Sequence, residues 1–350
     1  MICPTCHRAF TDPAQRFCVD DGARLQEGEA PAIRVAEIKP TAELGKLVAG
    51  RYAVRGFIGE GGMSRVYLAE DATSGEPVAV KIMKREQVSN RLARERFLRE
   101  VEVAAKIGHP NVVRILDAGE RADRSPFLVM EFLSGETLGD VLDREGRLEL
   151  DFVLPLLCQA ASGLAAAHAA GVVHRDVKPE NLFLVAGGGL KLVDFGVAKL
   201  KEGTVTAAGM ALGTVPYMAP EQALADPVDG RTDVWGLGIT AFHLLTGTLP
   251  FEGEDDVHTT AQVIYAPTPA LAARRPELDP RVDRAVSAAT RKNPENRYAS
   301  MNAFLEDLER LVGDRPGELV GAVAHVVPDG YAPRNPMSQT AARFLRSLVV

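Results

Sequence analysis

Eight residues, His174-Arg-Asp-Val-Lys-Pro-Glu-Asn181, constrain this chain more than any other stretch. They set a carboxylate (Asp176), an ammonium (Lys178) and a carboxamide (Asn181) on one short loop, directly after the apolar turn Gly171-Val172-Val173. A carboxylate there can accept a hydroxyl proton, a lysine can neutralise phosphate oxygens, and an amide oxygen can bind a hard cation. Together they point to phosphoryl transfer. The other parts of that chemistry should then occur along the chain in a workable order.

They do. Arg51 to Ile58 reads as a strand leading into Gly59-Glu60-Gly61-Gly62-Met63-Ser64, and a second strand runs from Val66 through Ala69. Glycines at such a turn let backbone N–H groups approach phosphate oxygens. Ser64 stands where the last glycine of a G-x-G-x-x-G loop would be. Val78-Ala79-Val80-Lys81 is an apolar strand ending in a single lysine. A helix is expected from Asn90 to Ile107, with Phe97, Leu98, Val101, Ala104 and Ala105 in one stripe and Glu100 beside it, within reach of Lys81. His109 to Leu116 reads as a turn and strand, and Phe127 to Leu133 as a buried strand running into a connector. Ser134-Gly135 marks the expected lobe boundary.

Beyond it, Asp151 to Ala170 forms a broad apolar helical face that delivers the catalytic loop. Leu182 to Val185 and Leu190 to Val193 make a hairpin that presents Asp194-Phe195-Gly196. Ala219-Pro220-Glu221 follows, then a helix opening at Asp233 and a closing helix through Phe304, Leu305, Leu308 and Leu311.

Taken in this order, the glycine turn, Lys81, Glu100, Asp176 to Asn181, Asp194-Phe-Gly and Ala-Pro-Glu221 resemble the eukaryotic-type Ser/Thr protein kinases, including those of bacteria. The resemblance covers about residues 51–312 and implies an α+β, bilobal fold, with a small β-rich N-lobe (51–133) and a larger helical C-lobe (134–312). It also implies roles. Lys81 would hold the α- and β-phosphates of ATP and pair with Glu100; Asn181 and Asp194 would bind Mg2+, with Mn2+ as an alternative; and Asp176 would orient or deprotonate the acceptor hydroxyl. Lys178 would approach the transferred phosphoryl group, and Thr214 would help position Asp176 and Lys178. ATP would lie among Ile58 to Ser64, Val66, Ala79, Lys81, Met130, Glu131, Phe132, Leu133 and Phe183. The Asp-Val-Lys178-Pro-Glu-Asn loop and the Gly213 to Glu221 segment resemble Ser/Thr rather than Tyr kinases, so protein serines and threonines are the expected acceptors. Arg175, next to Asp176, can receive a phosphothreonine, which makes Thr206 and then Thr204 the expected autophosphorylation sites. Glu221 would pair with Arg297, and Asp233 would brace the catalytic loop. The competing reading is a catalytically weak, nucleotide-binding scaffold of the same shape.

Outside that region the residues speak for themselves. Cys3, Cys6 and Cys18, with Asp21 or His7 as a fourth donor, resemble a zinc ribbon over residues 1–25. Residues 26–50 read as a linker. The tail, 313–350, carries a helical stripe of Met337, Ala341, Phe344, Leu345 and Leu348, suited to docking on the kinase domain or on a protein partner, as the ribbon also is. A net charge of −7 argues against a nucleic-acid partner. No charged start precedes an apolar signal core and no apolar run approaches ~18 residues, so the chain is expected to be cytoplasmic and without a membrane span. Cys158, alone in a helical pattern, is expected to be a small core residue.

Overall fold

The computed structural model describes residues 38–104, 107–186, 189–195 and 215–313, with backbone alone at positions 96 and 99–104. The first lobe is built on an antiparallel sheet of β1 (Leu47–Val48), β2 (Tyr52–Glu60), β3 (Ser64–Asp71), β4 (Pro77–Met83), β5 (Ile115–Glu120) and β6 (Pro126–Glu131), in the order β1-β2-β3-β4-β6-β5. The short α1 (Arg85–Val88) and the longer α2 (Arg91–Ala104) connect β4 to β5. Strand alternation sorts the side chains. Tyr67, Ala69, Val78, Val80, Ile82, Phe127 and Val129 form a small core on one face. Val66, Ala79, Lys81 and Met130 lie on the other, with Val66 paired to Lys81 and Ala79 to Met130.

The expected linker, 26–50, requires correction at its end. Leu47 pairs with Ala53, Val48 pairs with Tyr52, and Lys39 bridges Phe57, so the sheet begins before Arg51. A two-residue edge strand leaves no periodicity to read.

Arg51 clamps the far end of the same hairpin, reaching both carboxylate oxygens of Asp71 at 2.8 and 2.6 Å. That bond holds the Asp71 carboxyl down at about 2. A depressed carboxyl contributes stability above its unfolded value of about 3.9 and loses it as pH falls through its folded value. The pair should therefore cost about 1–2 kcal/mol between about pH 4 and pH 2, at the low end because Arg51 is 40% exposed. Urea midpoints at pH 4, 3 and 2 should show this slope, and Asp71→Asn should flatten it. An unchanged slope would remove the pair from the acid transition.

The second lobe contains β7 (Gly135–Thr137), α3 (Leu138–Glu145), α4 (Leu150–Ala169), β8 (Leu182–Val185) and β9 (Leu190–Leu192). Helices α5 (Pro220–Ala223), α6 (Gly230–Thr246), α7 (Asp256–Tyr265), α8 (Pro280–Ala289) and α9 (Met301–Gly313) follow. Helix α6 begins three residues before the expected Asp233, because Asp229 caps it by accepting from Arg231 N at 2.8 Å. Helix α4 is the hub, packed between α6, α9 and β9. Its 20 residues include an 18-residue window with a mean hydropathy of 1.5, enough by length and composition alone to cross a membrane. Val153, Leu154, Leu157, Ala160, Ala161 and Leu164 are instead fully buried in the main core. Cys158 is buried with them, and burial pushes its thiol up, away from the reactive thiolate.

Candidate active site

The catalytic loop hangs from one buried carboxylate. Asp233, in the first turn of α6, accepts from His174 N and Arg175 N at 2.7 Å each and meets His168 Nε2 at 2.7 Å. Arg175 takes a left-handed backbone, φ +68°, which is costly for a side chain of that size. Two bonds hold it there: Asp233 fixes its N–H, and Gln222 Nε2 donates to its carbonyl at 2.9 Å. Gly236 lets α6 approach from below, since a Cβ there would stand 3.0 Å from Val177 Cβ.

Beyond this turn the three polar groups converge. Asn181 Nδ2 donates to Asp176 O at 2.7 Å and to Asp176 Oδ2 at 3.2 Å. Lys178 Nζ lies 3.4 Å from the same Oδ2. Fixing Asn181 through its nitrogen leaves its amide oxygen as the donor it can offer a hard cation.

The partner from the first lobe is Lys81. It is 10% exposed, and its Nζ lies 2.7 Å from Oδ1 of Asp194. The Lys81 charge holds the Asp194 carboxyl below the usual carboxylate range. Asp194 is also left-handed, φ +51°, and its side chain is 57% exposed. Its base is rigid: Phe195 is buried against the His174 ring, with centroids 4.6 Å apart, and burial holds that histidine below its ordinary value. Oxygen donors from Asn181 and Asp194 suit Mg2+ or Mn2+. The side chain of Glu100 lies outside the described residues; Asp194 is a partner of Lys81 among the described ones.

Around the glycine turn, Gly61 N donates to Ser64 O at 2.9 Å, closing the hairpin. Ser64 is not part of the turn's tip. It is buried and begins β3, paired with Met83. Ile58, Gly59 and Glu60 end β2, while Gly62 and Met63 complete the turn. Glu60 carries an ion pair to Lys84 at 2.5 Å. Val66 and Ala79 share the face of Lys81, with Met130 beside them on β6. Glu131, Phe132 and Leu133 form the half-buried connection between the lobes, and Phe183 lies half-buried on β8, opposite in sense to the buried Leu182 and Leu184. Thr204, Thr206, Thr214, Cys3, Cys6, His7, Cys18 and Asp21 lie outside the described residues.

Three functional contacts escaped sequence reasoning. His168 reads as a packed helix residue, yet it buttresses Asp233. Gln222, which carries no signal in the sequence, holds Arg175 from α5. Glu131 Oε1 accepts from Arg114 N at 2.8 Å and from Lys191 Nζ at 2.7 Å, which ties the inter-lobe connection to the strand that presents Asp194. The lone lysine in Leu190-Lys-Leu192 was the only available signal for the last.

The family model described as the protein kinase domain matches residues 52–308. The chain is 35% identical over 283 residues to the Ser/Thr-protein kinase pkn3 of Myxococcus xanthus, covering 78% of this chain and 52% of that protein. It is 38% identical over 279 residues to the Ser/Thr-protein kinase PknA of Mycobacterium tuberculosis, covering 78% and 64% respectively. The chain thus spans between about half and two thirds of the length of these relatives. Among solved structures, the kinase domain of Mycobacterium tuberculosis PknI superposes with a TM-score of 0.61 at 28% identity, covering 77% of this chain and 99% of that one.

Proposed function

The chain belongs to the protein kinase family, and we propose that it transfers the γ-phosphate of ATP to serine and threonine hydroxyls of proteins. The observation that carries this reading is the Lys81–Asp194 contact at 2.7 Å, formed between the two lobes beside the loop on which Asp176, Lys178 and Asn181 meet. The names of the relatives and the Asp-Val-Lys178-Pro-Glu-Asn loop support the acceptor class.

The residues divide the work between alignment and charge, the two things phosphoryl transfer asks of a protein. Lys81 holds ATP phosphate oxygens beneath the N–H groups of the glycine turn. Asp176 accepts the proton of the acceptor hydroxyl as the new O–P bond forms and the bond between the γ-phosphorus and the bridging oxygen breaks, releasing ADP. Lys178 stands beside Asp176 and neutralises the charge of the group in transit. Asn181 and Asp194 would hold the magnesium, which supplies positive charge at the phosphates when bound.

Phosphate incorporation from labelled ATP with Mg2+ into the full chain and a generic basic protein tests this directly. Incorporation on serine and threonine is expected. Measured ATP binding without incorporation would favour the scaffold reading.

The proposed switch is autophosphorylation on Thr206 or Thr204, supported by Arg175 beside the catalytic aspartate. Mapping should find phosphate on at least one, and the Thr204→Ala, Thr206→Ala variant should lose about tenfold in activity toward added substrate, on the order of one charge-assisted hydrogen bond. Equal activity of the double variant would remove the switch. Zinc at Cys3, Cys6 and Cys18 with Asp21 or His7 is a further proposal, tested by metal analysis of the reduced protein.

A further inference from the structure

Strand β2 runs directly into the glycine turn, and its outer edge carries a segment that the catalytic reading does not use. Residues 38–48 fold back along it. Lys39 N donates to Phe57 O at 2.9 Å and Phe57 N to Lys39 O at 2.8 Å; lower down, Gly45 N donates to Val54 O at 2.9 Å and Val54 N to Lys46 O at 3.0 Å. These contacts coincide with the two places where β2 slips register against β3, between Val54 and Gly56 and between Phe57 and Gly59. A strand is weakly held where its ladder is interrupted, so the added segment supplies bonds where β3 does not.

Gly56 explains why the segment fits. A Cβ there would overlap Ile38 Cγ2 and lie 3.4 Å from Lys39 O. The backbone at Gly56 is not left-handed, so glycine serves there for room rather than for conformation. The middle of the segment turns on itself, with Leu44 N donating to Thr41 O at 3.1 Å, and is anchored separately by Glu43 Oε2, 3.6 Å from Arg121 Nη2 beyond β5.

We propose that residues 38–48 are a brace that positions the phosphate-binding turn, with Ile38 and Gly56 as its positioning residues. This rests on reading that turn as the ATP cradle. With the brace displaced, Val54 and Phe57 lose their edge bonds and ATP has to order a looser turn. ATP affinity then falls while the chemistry at Asp176 continues.

The test uses the full chain, with Kd for a non-hydrolysable ATP analogue and both KM and kcat for ATP. Gly56→Ala should raise Kd and KM by about three- to tenfold, with kcat changed by less than about twofold. Gly56→Ala combined with Ile38→Ala, which removes the overlapping methyl, should bring both back to within about twofold of the parent. Lys39→Pro, which deletes the N–H donated to Phe57 on an exposed edge, should act in the same direction and serves if Gly56→Ala does not fold. Unchanged ATP binding in these variants would overturn the brace, as would a double variant no better than Gly56→Ala. A parent protein that binds no ATP would instead overturn the proposed function.

Discussion

Asp176→Asn is expected to lower phosphate incorporation by about 10²–10⁴-fold while leaving the fold intact and ATP affinity within about threefold. The substitution preserves size and shape, and the bond from Asn181 Nδ2 to the Asp176 carbonyl, at 2.7 Å, is made by the backbone and survives it. What is lost is the acceptor of the hydroxyl proton. The loop's geometry persists because it is set from below, by Asp233 on His174 N and Arg175 N. Binding persists because Lys81 and the glycine turn are untouched. Single-turnover rates at saturating ATP, the Kd for ATP and a thermal melt separate the three quantities. A variant retaining more than about a tenth of the parental rate would show that Asp176 is not the proton acceptor.

The largest stability effect is expected at Arg297. Its side chain is fully buried and grips Glu221, itself 6% exposed, through two bonds of 2.7 Å each. The same guanidinium donates to the carbonyls of Arg291, Lys292 and Arg231 at 2.7, 3.0 and 3.0 Å, and lies 5.1 Å from the Trp235 ring centroid. Thr232 Oγ1 adds a bond of 2.8 Å to Glu221. Arg297→Ala would leave a buried carboxylate and three carbonyls without their cation, a loss of about 3–5 kcal/mol. Removing both charges, as in Glu221→Gln with Arg297→Met, should cost less than Arg297→Met alone, because the uncompensated charge goes with its partner. Urea midpoints at constant m-value measure this. A double variant that loses the sum of the two single effects would mean that the charges are not coupled. Since Glu221 closes the segment that follows Asp194, the single variants should also lose activity.

Much of the site was legible because its groups are close in sequence. Asp176, Lys178 and Asn181 sit within six positions, and the spacing alone places their carboxylate, ammonium and amide on one loop. The pairing of Glu221 with Arg297, 76 positions apart, came from the family resemblance and not from any local pattern. Strand and helix identities also followed from short-range information: the short apolar run Val78-Ala79-Val80 ending at Lys81 and the apolar faces of α4 and α9. Boundaries moved where a cap decided them, as Asp229 did for α6.

The sequence by itself determined which chemistry the chain carries and the order in which its parts occur, since motifs and periodicities are written within a few residues of one another. Only the tertiary structure decided which of those groups meet. Lys81 reaches Asp194 across 113 positions, His168 reaches Asp233 across 65, and Ile38 occupies the space that Gly56 leaves. Each of these contacts depends on how two elements pack, and burial, edge pairing and close approach are properties of that packing, with no signature in either segment alone.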